Sequence, residues 1–71
     1  MARIFDTKIK IETATVELLN SLLYKECVIE NTSKFGYVTR FIVSSTLWAD
    51  VYTGSGEIIV VDARELLYEN K

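Results

Sequence analysis

Few of the side chains from which active sites are built are available to this chain. It has no histidine and a single cysteine, Cys27, so neither a histidine-activated nucleophile nor a His/Cys zinc site can be assembled within it. Its only glycines are Gly36, Gly54 and Gly56, and they form no phosphate-cradling motif. Asp50, Glu57 and Asp62 are carboxylates in the second half, but no spacing makes two of them an acid–base pair. The expectation is a protein without catalysis and without a cofactor or metal.

What remains is chemistry of contact. Ser44-Ser45-Thr46 offers three hydroxyls to a base or a phosphate, or else forms a plain polar turn between strands. Asp62-Ala63-Arg64 offers a guanidinium that can touch phosphate or stack on a base, and a carboxylate that can accept from a base amino group. The same three residues also suit a turn with solvated charges. Arg40 can reach a ligand or lay its stem along apolar neighbours. Arg3, Lys8 and Lys10 read as a solvated surface rather than a basic patch. Trp48 and Tyr52 can stack bases, or pack under the helix, the N-terminal arm or a subunit contact. Cys27 reads as a buried, inert thiol.

Size and composition say what must support these groups. Seventy-one residues make one domain, and so short a chain buries only about 60% of its unfolded surface. Small domains therefore add disulfides, a metal or partners. A lone cysteine rules out an internal disulfide, yet 49% of the residues are hydrophobic. A small, apolar, unstapled chain points to self-association. The net charge of −2 is unlike that of a protein binding phosphates non-specifically, so nucleic-acid contact would need a local pocket. The longest apolar run, Ile58 to Val61, is too short to span a membrane. Met1 to Ile11 does not read as a signal peptide. With one free thiol, the cytoplasm is the expected location.

Along the chain, 1–13 reads as an N-terminal arm, extended or holding a short strand, because Ile9 and Ile11 alternate with Lys8 and Lys10. Val16, Leu19, Leu22 and Leu23, with Leu18 beside them, recur at helical spacing and predict a helix over 14–25. Thr13 or Thr15 can cap it. Strand chemistry follows over 26–68: Cys27-Val28-Ile29, then a loop at Asn31-Thr32-Ser33-Lys34, then Gly36 opening Tyr37 to Val43. Leu47, Ala49 and Val51 alternate with Trp48, Asp50 and Tyr52. After the turn Gly54-Ser55-Gly56, Ile58 to Val61 does not alternate, which predicts a strand covered on both faces. Leu66-Leu67-Tyr68 closes the series. The fold class is mainly β: a helix, then five short antiparallel strands in a strongly bent sheet or small barrel. Ile58–Val61 and Leu66–Tyr68 are the expected open edges.

This order resembles the Sm-like family, including the bacterial host-factor RNA chaperones, over 14–68. TVELLNSLLYKECVIEN looks like that family's helix running into its first strand. Gly36-Tyr37-Val38 is similar to the start of the second strand, with Phe41 at an aromatic position and Leu47 and Ala49 at apolar positions of the third. Ile59-Val60-Val61 and Leu66-Leu67-Tyr68 fit the fourth and fifth strands. Where the family usually has an aspartate and, four residues on, an asparagine, this chain has Ile42 and Thr46. Where it often has Arg-Gly, this chain has Asp62-Ala63, with Arg64 one place later.

The resemblance implies a homo-oligomeric ring of five to seven subunits, closed by edge pairing of the last two strands. It implies that the two loops face a central pore and hold single-stranded RNA. The candidate RNA-contacting residues are then Ser44, Ser45, Thr46, Asp62, Ala63 and Arg64. A rival reading, favoured by the acidic balance and the departures from the family motifs, is a small-barrel module for protein–protein interaction or assembly without RNA.

Overall fold

The structure, a computed structural model, describes residues 2–6, 8–32 and 34–69, and only the backbone of Ala2, Lys8 and Ile9. Its elements are β1 (Ala2–Arg3), α1 (Lys8–Glu12), α2 (Val16–Leu22), β2 (Glu26–Ile29), β3 (Phe35–Val43), β4 (Leu47–Thr53), β5 (Ile58–Asp62), a 3-10 turn (Ala63–Glu65) and β6 (Leu66–Tyr68). The five strands of three or more residues are those expected from the sequence. With the two-residue β1 they form one six-stranded antiparallel sheet in the order β1-β6-β2-β3-β4-β5. The sheet is open, with β1 at one edge and β5 at the other.

The N-terminal arm departs from expectation. Only Ala2–Arg3 is a strand, and Lys8–Glu12 is a helical turn. Alternation over so few residues is a weak strand signal. An ion pair one turn apart, Asp6 with Lys10 at 3.0 Å, suits the helix instead. Ile4 and Ile11 pack against the core, and Phe5 is inside it.

The main helix is shorter than 14–25. Thr15 caps it, its hydroxyl accepting from the Leu18 N–H at 3.1 Å. It ends after Leu22, where Leu23 is extended and Tyr24 takes a left-handed backbone with φ of 63°. A residue in that conformation cannot continue a right-handed helix. Leu22 is buried and Leu19 and Leu23 partly so, while Val16 and Leu18 face outward. Only the C-terminal part of the apolar stripe meets the sheet.

In β4, Leu47, Ala49, Val51 and Thr53 point inward, and Trp48 and Tyr52 outward. The turn Gly54-Ser55-Gly56 closes with the Gly56 N–H donating to the Thr53 carbonyl at 3.0 Å and the Thr53 N–H to the Glu57 carbonyl at 2.9 Å. Gly56 has φ of 88°, the left-handed residue this hairpin type requires. In β3 the register slips between Val38 and Arg40, a bulge at Thr39 that bends the strand.

Of the two expected open edges, Ile58–Val61 is one and Leu66–Tyr68 is not, and the expected covering of Ile58–Val61 is corrected as well. Ile58 to Val61 is not covered on both faces: Val61 is buried and Ile59 half-buried, but Ile58 and Val60 are each 60% exposed. The outer face of the sheet carries no covering layer at β5, so its alternate side chains meet solvent. Leu66–Tyr68 is not an open edge, because it lies between β2 and β1, with Ala2 opposite Tyr68 and Arg3 opposite Leu67. No helix among the described residues is long and apolar enough to cross a membrane.

Candidate functional site

The ladder places both expected loops at one end of the sheet. Val43 stands opposite Leu47, flanking 44–46, and Trp48 stands opposite Asp62, the first residue of 62–64. The Ser44 N–H donates to the Thr46 carbonyl at 2.9 Å, which makes 44–46 a tight turn. Ser44 and Ser45 are exposed and Thr46 is half-buried. With Ile11, Glu12, Ala14 and Leu19 they border an open cavity of about 290 Å³.

The second loop is locked. Asp62 caps the 3-10 turn, accepting from the Arg64 N–H at 2.9 Å, and its carboxylate also takes Arg64 Nε at 3.1 Å and Nη2 at 2.8 Å. This bidentate pairing holds the Asp62 carboxyl below its ordinary range, against the opposing effect of burial. Ala63 is fully buried, so its side chain faces core rather than ligand. Arg64 remains exposed, with one terminal nitrogen not used by Asp62.

Several other cations are also paired. Arg3 meets Glu30, Lys10 meets Asp6, and Lys34 meets Glu57 at 3.1 Å. Arg40 binds Asp50 through Nε at 3.0 Å and Nη2 at 2.9 Å. Lys8 of the basic arm has a side chain outside the described residues. Such surface pairs are weak, but they set each of these described cations beside a carboxylate.

Trp48 and Tyr52 are not under the helix. The register of β3, β4 and β5 sets three cross-strand rows on the outer face: Tyr37, Tyr52, Ile58; Arg40, Asp50, Val60; and Ile42, Trp48, Asp62. Tyr37 and Tyr52 stack with ring centroids 5.5 Å apart, and Tyr24 tilts onto Tyr37 at 5.8 Å. With Phe35 and Glu26 they line an open cleft of about 300 Å³ at the end opposite the two loops. Tyr24 and Tyr37 were not among the sequence candidates. The period-two patterns of β3 and β4 were the available signal, since only register pairs them.

The outer face is thus aromatic and apolar at the Tyr37–Tyr52 end, charge-paired in its middle, and carries the Asp62–Arg64 pair at the loop end. Cys27 is fully buried, and its thiol is pushed up to about 11 by desolvation and then by Glu26, which removes it as a nucleophile at neutral pH. Among the described residues no group of three or more His, Cys, Asp or Glu is gathered. The arrangement suits docking: an uncovered strand edge flanked by apolar and aromatic side chains. Comparison with protein-family models, curated proteins and solved structures gives no match to this chain, so the surface is judged on its geometry.

Proposed function

We propose that this chain is a non-catalytic small-barrel module of the Sm-like kind that works by self-association, with β5 as its contact edge. The observation that carries the reading is β5 itself. Ile58 and Val60 are 60% exposed on an edge strand that contains neither lysine nor proline. Edges left that way are templates for another strand. A small apolar core without a disulfide has the same need.

Support for the Sm-like kinship is the strand order, in which β6 returns beside β2 after a meander through β3, β4 and β5, with a helix before the first long strand. The bulge in β3 is the bend a small barrel needs. The test is the solution mass by light scattering at two concentrations, for the native chain and for Ile58→Lys. The expected result is a mass above the 8.1 kDa of one chain, falling to one chain in the variant. A native monomer at both concentrations defeats the proposal.

The second reading, single-stranded RNA at the loop end, draws on one observation. Thr46 and Arg64 lie at the same end as Trp48, the sole tryptophan, whose ring can stack on a base. A short oligoribonucleotide added at low salt should then quench Trp48 fluorescence, and a Thr46→Val, Arg64→Ala double variant should bind less. Undiminished binding by that variant defeats the site, and no binding by the native chain defeats the reading.

A further inference from the structure

We infer that two copies of this chain join through β5 about a two-fold axis at Val60, with the two edges antiparallel and one sheet continuing into the other. This rests on the self-association reading and names the partner surface: the same strand of a second copy.

The direction of the backbone groups follows from the hairpin. The Thr53 N–H to Glu57 carbonyl bond makes Thr53 and Glu57 a hydrogen-bonded pair. Pairs along an antiparallel ladder alternate between hydrogen-bonded and not. With Tyr52 opposite Ile58, Val51 opposite Ile59 and Asp50 opposite Val60, the odd-numbered residues of β5 bond to β4. Ile58, Val60 and Asp62 therefore turn their N–H and C=O groups to the open edge.

That edge is complementary to itself. Antiparallel pairing about Val60 sets Val60 against Val60 of the other copy, Ile58 against Asp62, and Ile59 against Val61. All five residues overlap, outer face meets outer face, and each outward donor meets an outward acceptor. A slip by one residue would set the outer face of one strand against the inner face of the other. The one charge on the strand, Asp62, is already held by Arg64, so no unpaired charge stands at the join.

The competing arrangement is head-to-tail, with β5 of one copy on β6 of the next. Here β1 occupies that edge. Arg3 is tied to Glu30, and Phe5, two residues on, is buried in the core. β5 is the one strand longer than two residues with an open edge among the described residues, and closure of like on like is the two-fold case.

Val60→Cys tests this. In the proposed register the two Val60 Cα atoms are about 5.5 Å apart, within the span a disulfide bridges, roughly 4.4–6.8 Å. Native Cys27 is fully buried and does not compete. The expected results are a native mass twice that of the 8.1 kDa chain, a covalent dimer of Val60→Cys on mild oxidation, and a monomeric, folded Val60→Lys. A ring-sized native mass, or a native dimer whose Val60→Cys form does not crosslink, overturns the two-fold join and leaves self-association standing. A native monomer at every concentration overturns both.

Discussion

Phe5 lies edge-on to Phe41, with ring centroids 6.0 Å apart and planes at 67°. The contact joins the N-terminal segment to the middle of β3, and Phe5 is only 1% exposed. A segment that reads as an appendage is therefore part of the core. Truncating a buried phenylalanine to alanine costs about 3–5 kcal/mol, against a total stability of about 5–15 kcal/mol for a domain. Phe5→Ala should thus shift the urea midpoint far downward or leave the chain unfolded at room temperature. A midpoint within error of the native one would show that the segment does not hold the sheet.

Gly36 is needed for a different reason. An added Cβ there would stand 2.1 Å from the Tyr52 carbonyl oxygen, which is backbone and has no rotamer to move. The cost is that of overpacking, about 1–3 kcal/mol or more. Gly36→Ala should lower the urea midpoint, while Gly54→Ala, whose Cβ would meet only the Phe35 ring at 3.6 Å, should change it much less. Equal effects would mean that β3 and β4 can separate at Gly36 without loss.

How much of this was legible depends on whether the cause lies along the chain or across it. The alternation of β4 and the Gly54-Ser55-Gly56 turn are local patterns with local causes, and each is where the residues place it; of the two possible caps, Thr13 and Thr15, the fold uses Thr15. Phe5 was missed because a single aromatic carries no period, and only the fold shows what it meets. Ile58 to Val61 is an open edge, as the residues suggest, but it is not covered on both faces, because four apolar residues in a row look the same whether or not a layer packs on the outer face. For the site, both loops do lie at one end. That Arg64 folds back on Asp62 depends on the 3-10 turn between β5 and β6, which three residues alone do not announce. The burial of Ala63 has the same origin.

Tyr68 closes the last strand with its hydroxyl buried and without a hydrogen-bond partner among the described residues. Burial raises its ionisation well above the usual phenol range. An unsatisfied buried hydroxyl costs about 1–3 kcal/mol, and phenylalanine has the same ring without it. Tyr68→Phe should therefore be neutral or stabilising, raising the melting temperature by about 4–8 °C for each kcal/mol gained. A clear loss of stability would reveal a partner for the hydroxyl.

The Asp62–Arg64 pair carries a pH signature whose sign can be worked out. Pairing lowers the Asp62 ionisation in the folded chain below its value in the unfolded one. The unfolded state then binds more protons in that range, so stability rises with pH there. The contribution is complete above the unfolded value, about 3.9, and disappears as pH falls through the folded value. Arg64→Gln removes the guanidinium hydrogen bond that most favours the ionised carboxylate, and should move the Asp62 titration, followed by carboxyl NMR, back toward the unfolded value. Asp62→Asn should flatten the acid limb of the stability curve relative to native while changing stability little at neutral pH, because asparagine caps about as well as aspartate and an exposed ion pair contributes little. An unchanged Asp62 titration in Arg64→Gln would mean that the 3-10 turn's own N–H, not the guanidinium, holds the carboxylate.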